Sequence, residues 1–152
     1  MSKYVVVPLI ALLLGGPVMA YDAALAQTYQ HLFASFDEQQ TAKALHMMTP
    51  EQIMEALKKG EPLVILDVRT EREQSLVGVT QPGALHMPAN KVFTPEKLAQ
   101  IPTDKKVVVT CQSGARALAV STALRDIGFD NAYCMKGGLK AFVDYLDPKT
   151  AF

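Results

Sequence analysis

Two short runs of the chain are apolar without alternation, and they limit the fold more than any other feature. Residues 63–66 read Leu-Val-Ile-Leu, and residues 107–110 read Val-Val-Val-Thr, each rich in β-branched side chains. A strand with one face in water alternates apolar and polar residues, whereas a strand covered on both faces does not. Both runs end in polar residues, Asp67-Val68-Arg69 in one case and Cys111-Gln112-Ser113 in the other. The expected centre is therefore a parallel sheet sandwiched between helices, with chemistry at the strand ends.

The segments between these runs carry helical signals. Thr49-Pro50-Glu51-Gln52 combines an N-cap, a proline at the first helical position and a capping-box glutamine. Ile53, Met54, Ala56 and Leu57 supply the buried side of that helix, and Gly60 stops it. Residues 70–82 read as a helix followed by a loop, and 84–87 as a short strand closed by Pro88. Thr94-Pro95-Glu96 repeats the cap-plus-proline start of a brief helix ending before Pro102. A helix is expected over 115–127, a strand over 132–135, and a last helix from Gly137-Gly138 through Tyr145. Alternating strands and helices give an α/β fold, and right-handed crossovers place helices on both faces of the sheet.

The N-terminal part is of another kind. Lys3 precedes an apolar stretch over 5–14, Gly15-Gly16-Pro17 breaks it, and Val18-Met19-Ala20 offers a cleavage site. This is the pattern of a secretory leader, with the expected cut after Ala20 and a second possible cut after Ala26. An uncleaved anchor is the competing reading of the same residues. The expected location is periplasmic or secreted, with no stable membrane span after cleavage. Residues 22–36 then read as an amphipathic helix with Leu25, Tyr29, Leu32, Phe33 and Phe36 on one face. The expected division is a leader over 1–20, a helical extension over 21–46 and one α/β domain over 47–152.

Composition excludes several classes of function. Fifteen basic and fifteen acidic residues balance, no basic stripe is present and tryptophan is absent, so nucleic acid is not an expected partner. His31, His46 and His86 lie far apart and there is no CxxC, so no metal site and no cofactor are expected. Cys111 and Cys134 are the two cysteines. Cys134 falls inside a strand and reads as a packed core thiol rather than a partner of Cys111.

The segment with chemical content is Cys111-Gln112-Ser113-Gly114-Ala115-Arg116. A buried strand delivers it to the carboxyl edge of the sheet, where open α/β folds bind ligands, and a helix begins at its far end. Gly114 permits backbone angles closed to other residues, so successive N–H groups can converge on one point. With the positive end of the next helix and the Arg116 guanidinium, such a loop favours a negative sulfur.

In this setting the loop resembles the active-site C-x-x-G-x-R of the rhodanese family. Other stretches agree with that family in order. Met48-Thr49-Pro50-Glu51 resembles its opening, Leu66-Asp67-Val68-Arg69 its L-D-V-R signature with Glu73 near the usual acidic position, and residues 82–88 its P-G-A-x-x-I-P strand. Gly128-Phe129 and Lys136-Gly137-Gly138 resemble its closing features. One departure is the segment Gly78-Val79-Thr80-Gln81, where the family has G-H-I. The resemblance covers about residues 47–146. It implies a three-layer fold with a mostly parallel five-stranded sheet and helices on both faces. It also implies a sulfurtransferase in which Cys111 takes sulfur from a small sulfur-containing anion such as thiosulfate and passes it to cyanide, a thiol or a sulfur-accepting protein. Residues 112–116 would bind the anion, with Arg116 either orienting it or bracing the loop through Asp67 or Glu73. Asp67, Arg69 and Glu73 are expected in support. Related phosphatases and arsenate reductases have five residues between cysteine and arginine, and this chain has four.

Overall fold

The computed structural model describes residues 21–34, 36–37 and 41–150. The leader expected over 1–20 lies outside them. The chain divides after Ala34 into two units. In the first, α1 (Ala23–Ala34) begins where the Asp22 carboxylate accepts the Leu25 N–H at 3.0 Å. Tyr29 and Phe33, one turn apart, bring their rings to 6.3 Å.

The second unit contains α2 (Thr41–Ala44), β1 (Met47–Met48), α3 (Pro50–Lys58), β2 (Leu63–Asp67), α4 (Glu71–Leu76) and β3 (Leu85–His86). It continues through α5 (Pro95–Leu98), β4 (Lys106–Thr110), α6 (Ala115–Asp126), β5 (Ala132–Met135) and α7 (Gly138–Leu146). Five strands form one sheet in the order β1-β5-β4-β2-β3, every neighbouring pair parallel.

The unbroken apolar runs become the two central strands, and their side chains divide between two cores by strict alternation. Val64, Leu66, Val107 and Val109 face one side, where they meet Ala117, Val120 and Leu124 of α6. Leu63, Ile65 and Val108 face the other, against Ile53 and Ala56 of α3. Both faces are dry over residues 63–66 of β2 and 107–109 of β4, which is why those stretches carry no polar residue. Thr110, the polar side chain that closes β4, is buried and donates to the Met135 sulfur at 3.2 Å.

The helix starts follow local chemistry. Thr49 accepts the Gln52 N–H at 3.2 Å while the Gln52 side chain accepts the Thr49 N–H at 2.9 Å. Thr70 and Glu73 make the same reciprocal pair at the start of α4. Thr94 stands at the N-cap of α5 but makes no side-chain cap bond. Its third helical position is Lys97, which cannot return a bond to the cap N–H. Replacement of Thr49 or Thr70 by alanine should therefore cost about 1 kcal/mol each, and Thr94→Ala only a few tenths. Urea unfolding of the three variants checks this ordering.

Candidate active site

β4 ends at Thr110 and α6 begins at Ala115, so four residues turn the chain at the carboxyl edge of the sheet. Gly114 makes the turn in the left-handed region, with φ 94°. The loop does not stand alone. The first turn of α7 is bonded to it, with the Leu139 N–H donating to the Cys111 carbonyl at 2.8 Å and the Lys140 N–H to the Gln112 carbonyl at 3.1 Å. In a trans peptide the N–H of one residue points opposite to the carbonyl before it. Fixing those two carbonyls toward α7 therefore turns the N–H groups of Gln112 and Ser113 away from it.

Glycine makes this approach possible. A Cβ on Gly138 would lie 2.5 Å from the Cys111 carbonyl oxygen and 2.6 Å from the Gly114 nitrogen. A Cβ on Gly114 would meet the nitrogens of Gly137 and Gly138 at 3.2 and 3.4 Å. Two helix starts thus converge on one cysteine. The sequence shows the Gly137-Gly138 pair as a turn before a helix, and its role as the backing of the loop comes only from the fold. The T-x-x-E spacing of Thr70 and Glu73 is a capping signal that was there to be read, and it positions the acid discussed next.

Cys111 is 1% exposed, and its Sγ accepts the Gly114 N–H at 3.2 Å. The first bond of the α6 ladder runs from the Leu118 N–H to the Gly114 carbonyl at 2.8 Å. The amides of Ala115, Arg116 and Ala117 therefore lie ahead of the helical ladder, at the positive end of the helix. Gln112, Ser113 and Ala115 are exposed, so the loop meets solvent while its sulfur does not.

Arg116 forms a two-pronged pair with Glu73, at 2.8 Å from Nη1 and 2.6 Å from Nη2. Glu73 is held well below the usual carboxylate range, first by Arg116 and then by the Thr70 backbone and hydroxyl. The guanidinium is pushed up, first by Glu73 and more weakly by charge and hydrogen-bond interaction with Cys111, against the effect of burial. Glu73 on α4 therefore holds the Arg116 charge where it interacts with the sulfur of the loop.

Asp67 and Arg69 pair with each other instead. The Arg69 Nη2 reaches Asp67 at 2.6 Å and the Val77 carbonyl at 2.6 Å, and the two side chains are almost fully buried. The Gln74 amide donates to the Asp67 and Arg69 carbonyls at 3.1 and 2.9 Å. This knot ties the end of β2 to the body and the C-terminal end of α4, which carries Glu73 toward Arg116.

Cys134 lies in the same core as Cys111, fully buried, and its thiol donates to the Gly114 carbonyl at 3.8 Å. Burial first, and charge interaction with Cys111 second, push that thiol up to about 11. It is a protonated donor beneath the loop. His86 is exposed on β3, away from these contacts.

A parallel α/β sheet whose central strand ends in a cysteine, with that sulfur under a glycine amide, defines a class of α/β proteins with a cysteine loop at the carboxyl edge of the sheet. The chain belongs to the family of the rhodanese-like domain, which matches residues 49–145. It is 30% identical over 112 residues to a probable adenylyltransferase/sulfurtransferase of Mycobacterium tuberculosis, covering 74% of this chain but only 28% of that protein. A sulfurtransferase of Allochromatium vinosum is 30% identical over 103 residues, covering 66% of this chain and 91% of that protein. A human single-domain sulfurtransferase shares the fold, with a TM-score of 0.55 at 22% identity over 65% of this chain and 96% of that one.

Two outcomes follow from this geometry. Gly138→Ala should lower stability by about 1–3 kcal/mol through overpacking, and by more than Gly83→Ala, whose added Cβ meets nothing within 4 Å. Urea unfolding compares the two. The Arg116–Glu73 pair adds stability above the unfolded carboxylate pKa and loses it as pH falls toward the depressed folded value. The stabilities of wild type and Glu73→Gln should therefore converge in strong acid, as followed by unfolding across pH.

Proposed function

We propose that this protein is a sulfurtransferase that carries sulfane sulfur on Cys111. The observation that supports this most is the sulfur itself, placed at the β4–α6 junction under the Gly114 amide and within reach of Arg116. The Cys111 thiolate attacks the outer sulfur of a donor such as thiosulfate. The donor's sulfur–sulfur bond breaks, sulfite leaves with the electron pair, and Cys111 becomes a persulfide. Charge on the outer persulfide sulfur is then offset by the amides ahead of the α6 ladder and by Arg116. A thiophilic acceptor, cyanide or a thiol, removes that sulfur and restores the thiolate.

The names of the relatives support sulfur transfer in general. The four-residue interval from Cys111 to Arg116 supports a single sulfur atom over a tetrahedral phosphate, which needs a wider loop. The secretory pattern of residues 1–20 favours a site of action outside the cytoplasm.

Intact-mass analysis after incubation with thiosulfate tests the reading. The wild type should gain one sulfur that cyanide removes, Cys111→Ser should gain none, and Cys134→Ser should still load. Repeated release of sulfite marks an enzyme, while a single loading without turnover marks a carrier. Absence of the added sulfur with every sulfane donor tried would overturn the proposal, and hydrolysis of an aryl phosphate lost in Cys111→Ser would replace it with a phosphatase.

A further inference from the structure

Two clefts meet at the Arg116–Glu73 pair, and they differ in charge. One, of about 460 Å³, includes Arg116, Arg72, Lys91 and Glu71 in its lining, along with Thr70 and Asn90. Lys91 pairs with Glu71 and Arg116 with Glu73, which leaves Arg72 as its positive excess, and Arg116 also interacts with the cysteine. The other, of about 380 Å³, runs from Gln112 between the end of α4 and α7. Its charged residues are two cations and two anions, and each has an ionic partner: Arg69 with Asp67, Glu73 with Arg116, and Lys140 with Asp144. It therefore presents no net charge.

The rest of the second cleft is apolar. Leu139 forms its base, and Leu76, Val77 and Val143 form its walls at 77%, 57% and 54% exposure. Single exposed apolar side chains are ordinary, but three around one hollow next to a reactive loop are not. Its volume is on the scale of an organic ligand, about 300–1,000 Å³, and exceeds what a few-atom ion such as cyanide or thiosulfate fills.

Resting on the persulfide reading above, we infer that the neutral cleft is the acceptor site and that Leu76, Val77 and Val143 set its specificity for a thiol with an apolar carbon body. The anionic donor belongs on the Arg116 side, where positive charge is in excess. The acceptor's thiolate attacks the outer sulfur of the Cys111 persulfide, the bond from that sulfur to Sγ breaks, and Sγ leaves as the thiolate. The acceptor departs as an organic persulfide anion, so atoms and charge balance with no further reactant.

The test uses the full chain, loaded with sulfur from polysulfide and followed by intact mass, so that the second step is read apart from the choice of donor. Transfer is measured to 1-propanethiol, 1-butanethiol and 1-hexanethiol, which differ little in acidity, and to cyanide. The expected result is a kcat/KM that rises about two- to fourfold per added methylene, the upper figure corresponding to a fully buried CH₂. Leu76→Ser and Val143→Ser should flatten that rise and lower the hexanethiol-to-cyanide ratio, while Val143→Ile keeps both. A flat series in the wild type, or an unchanged slope in both serine variants, overturns the inference while leaving sulfur transfer to cyanide intact. Failure to load any persulfide overturns the functional reading itself and this inference with it.

Discussion

The site depends on one backbone contact, the Leu139 N–H on the Cys111 carbonyl, which brings the start of α7 against the cysteine loop. It exists because position 138 has no side chain to push the two backbones apart. From that contact follow the direction of the loop carbonyls and the tight turn at Gly114. The Gly114 amide then sits over the sulfur. A loop held only by β4 and α6 would have two anchors, and α7 adds a third that leaves no freedom to the peptide planes around Cys111.

The charged residues around the loop divide into two kinds by burial. Asp67 and Arg69 are sealed from water and satisfy one another, so their part is to hold the end of β2 against the body and C-terminal end of α4. Breaking such a pair on one side leaves a buried charge alone, which is costly whatever the net worth of the pair. Arg116 and Glu73 are partly open to solvent, and their pair adds little to stability. Its importance is positional, because it holds a cation where it interacts with the sulfur. Arg116 lines one cleft and Glu73 the other, so charge differs across the pair.

Much of the core was legible in the sequence because burial on both faces of a strand leaves an unmistakable record. The runs at 63–66 and 107–110 could be little else, and β4 delivers Cys111 as that reading requires. The rhodanese-like fold with its five-stranded sheet and helices on both faces was legible too, through motifs in the right order. Less visible was β1, which has two residues, too few to show a period. β3 is likewise shorter than its apolar surroundings suggest, covering Leu85 and His86. The choice between Asp67 and Glu73 as the partner of Arg116 was also open, since either acid lies near it in the motif order.

What the sequence by itself determined is whatever is written within a few residues: strand burial, helix caps, the glycine turn and the cysteine between a strand and a helix. These depend on local periodicity and on side chains that bond to their own backbone. Only the tertiary structure decided that Gly138 backs the loop, that Glu73 rather than Asp67 holds Arg116, and that three apolar residues from α4 and α7 wall a neutral cleft. Each of these joins residues far apart in the chain, from 24 positions between Gly114 and Gly138 upward, and it is the stacking of helices on the sheet, not any local preference, that brings them within reach.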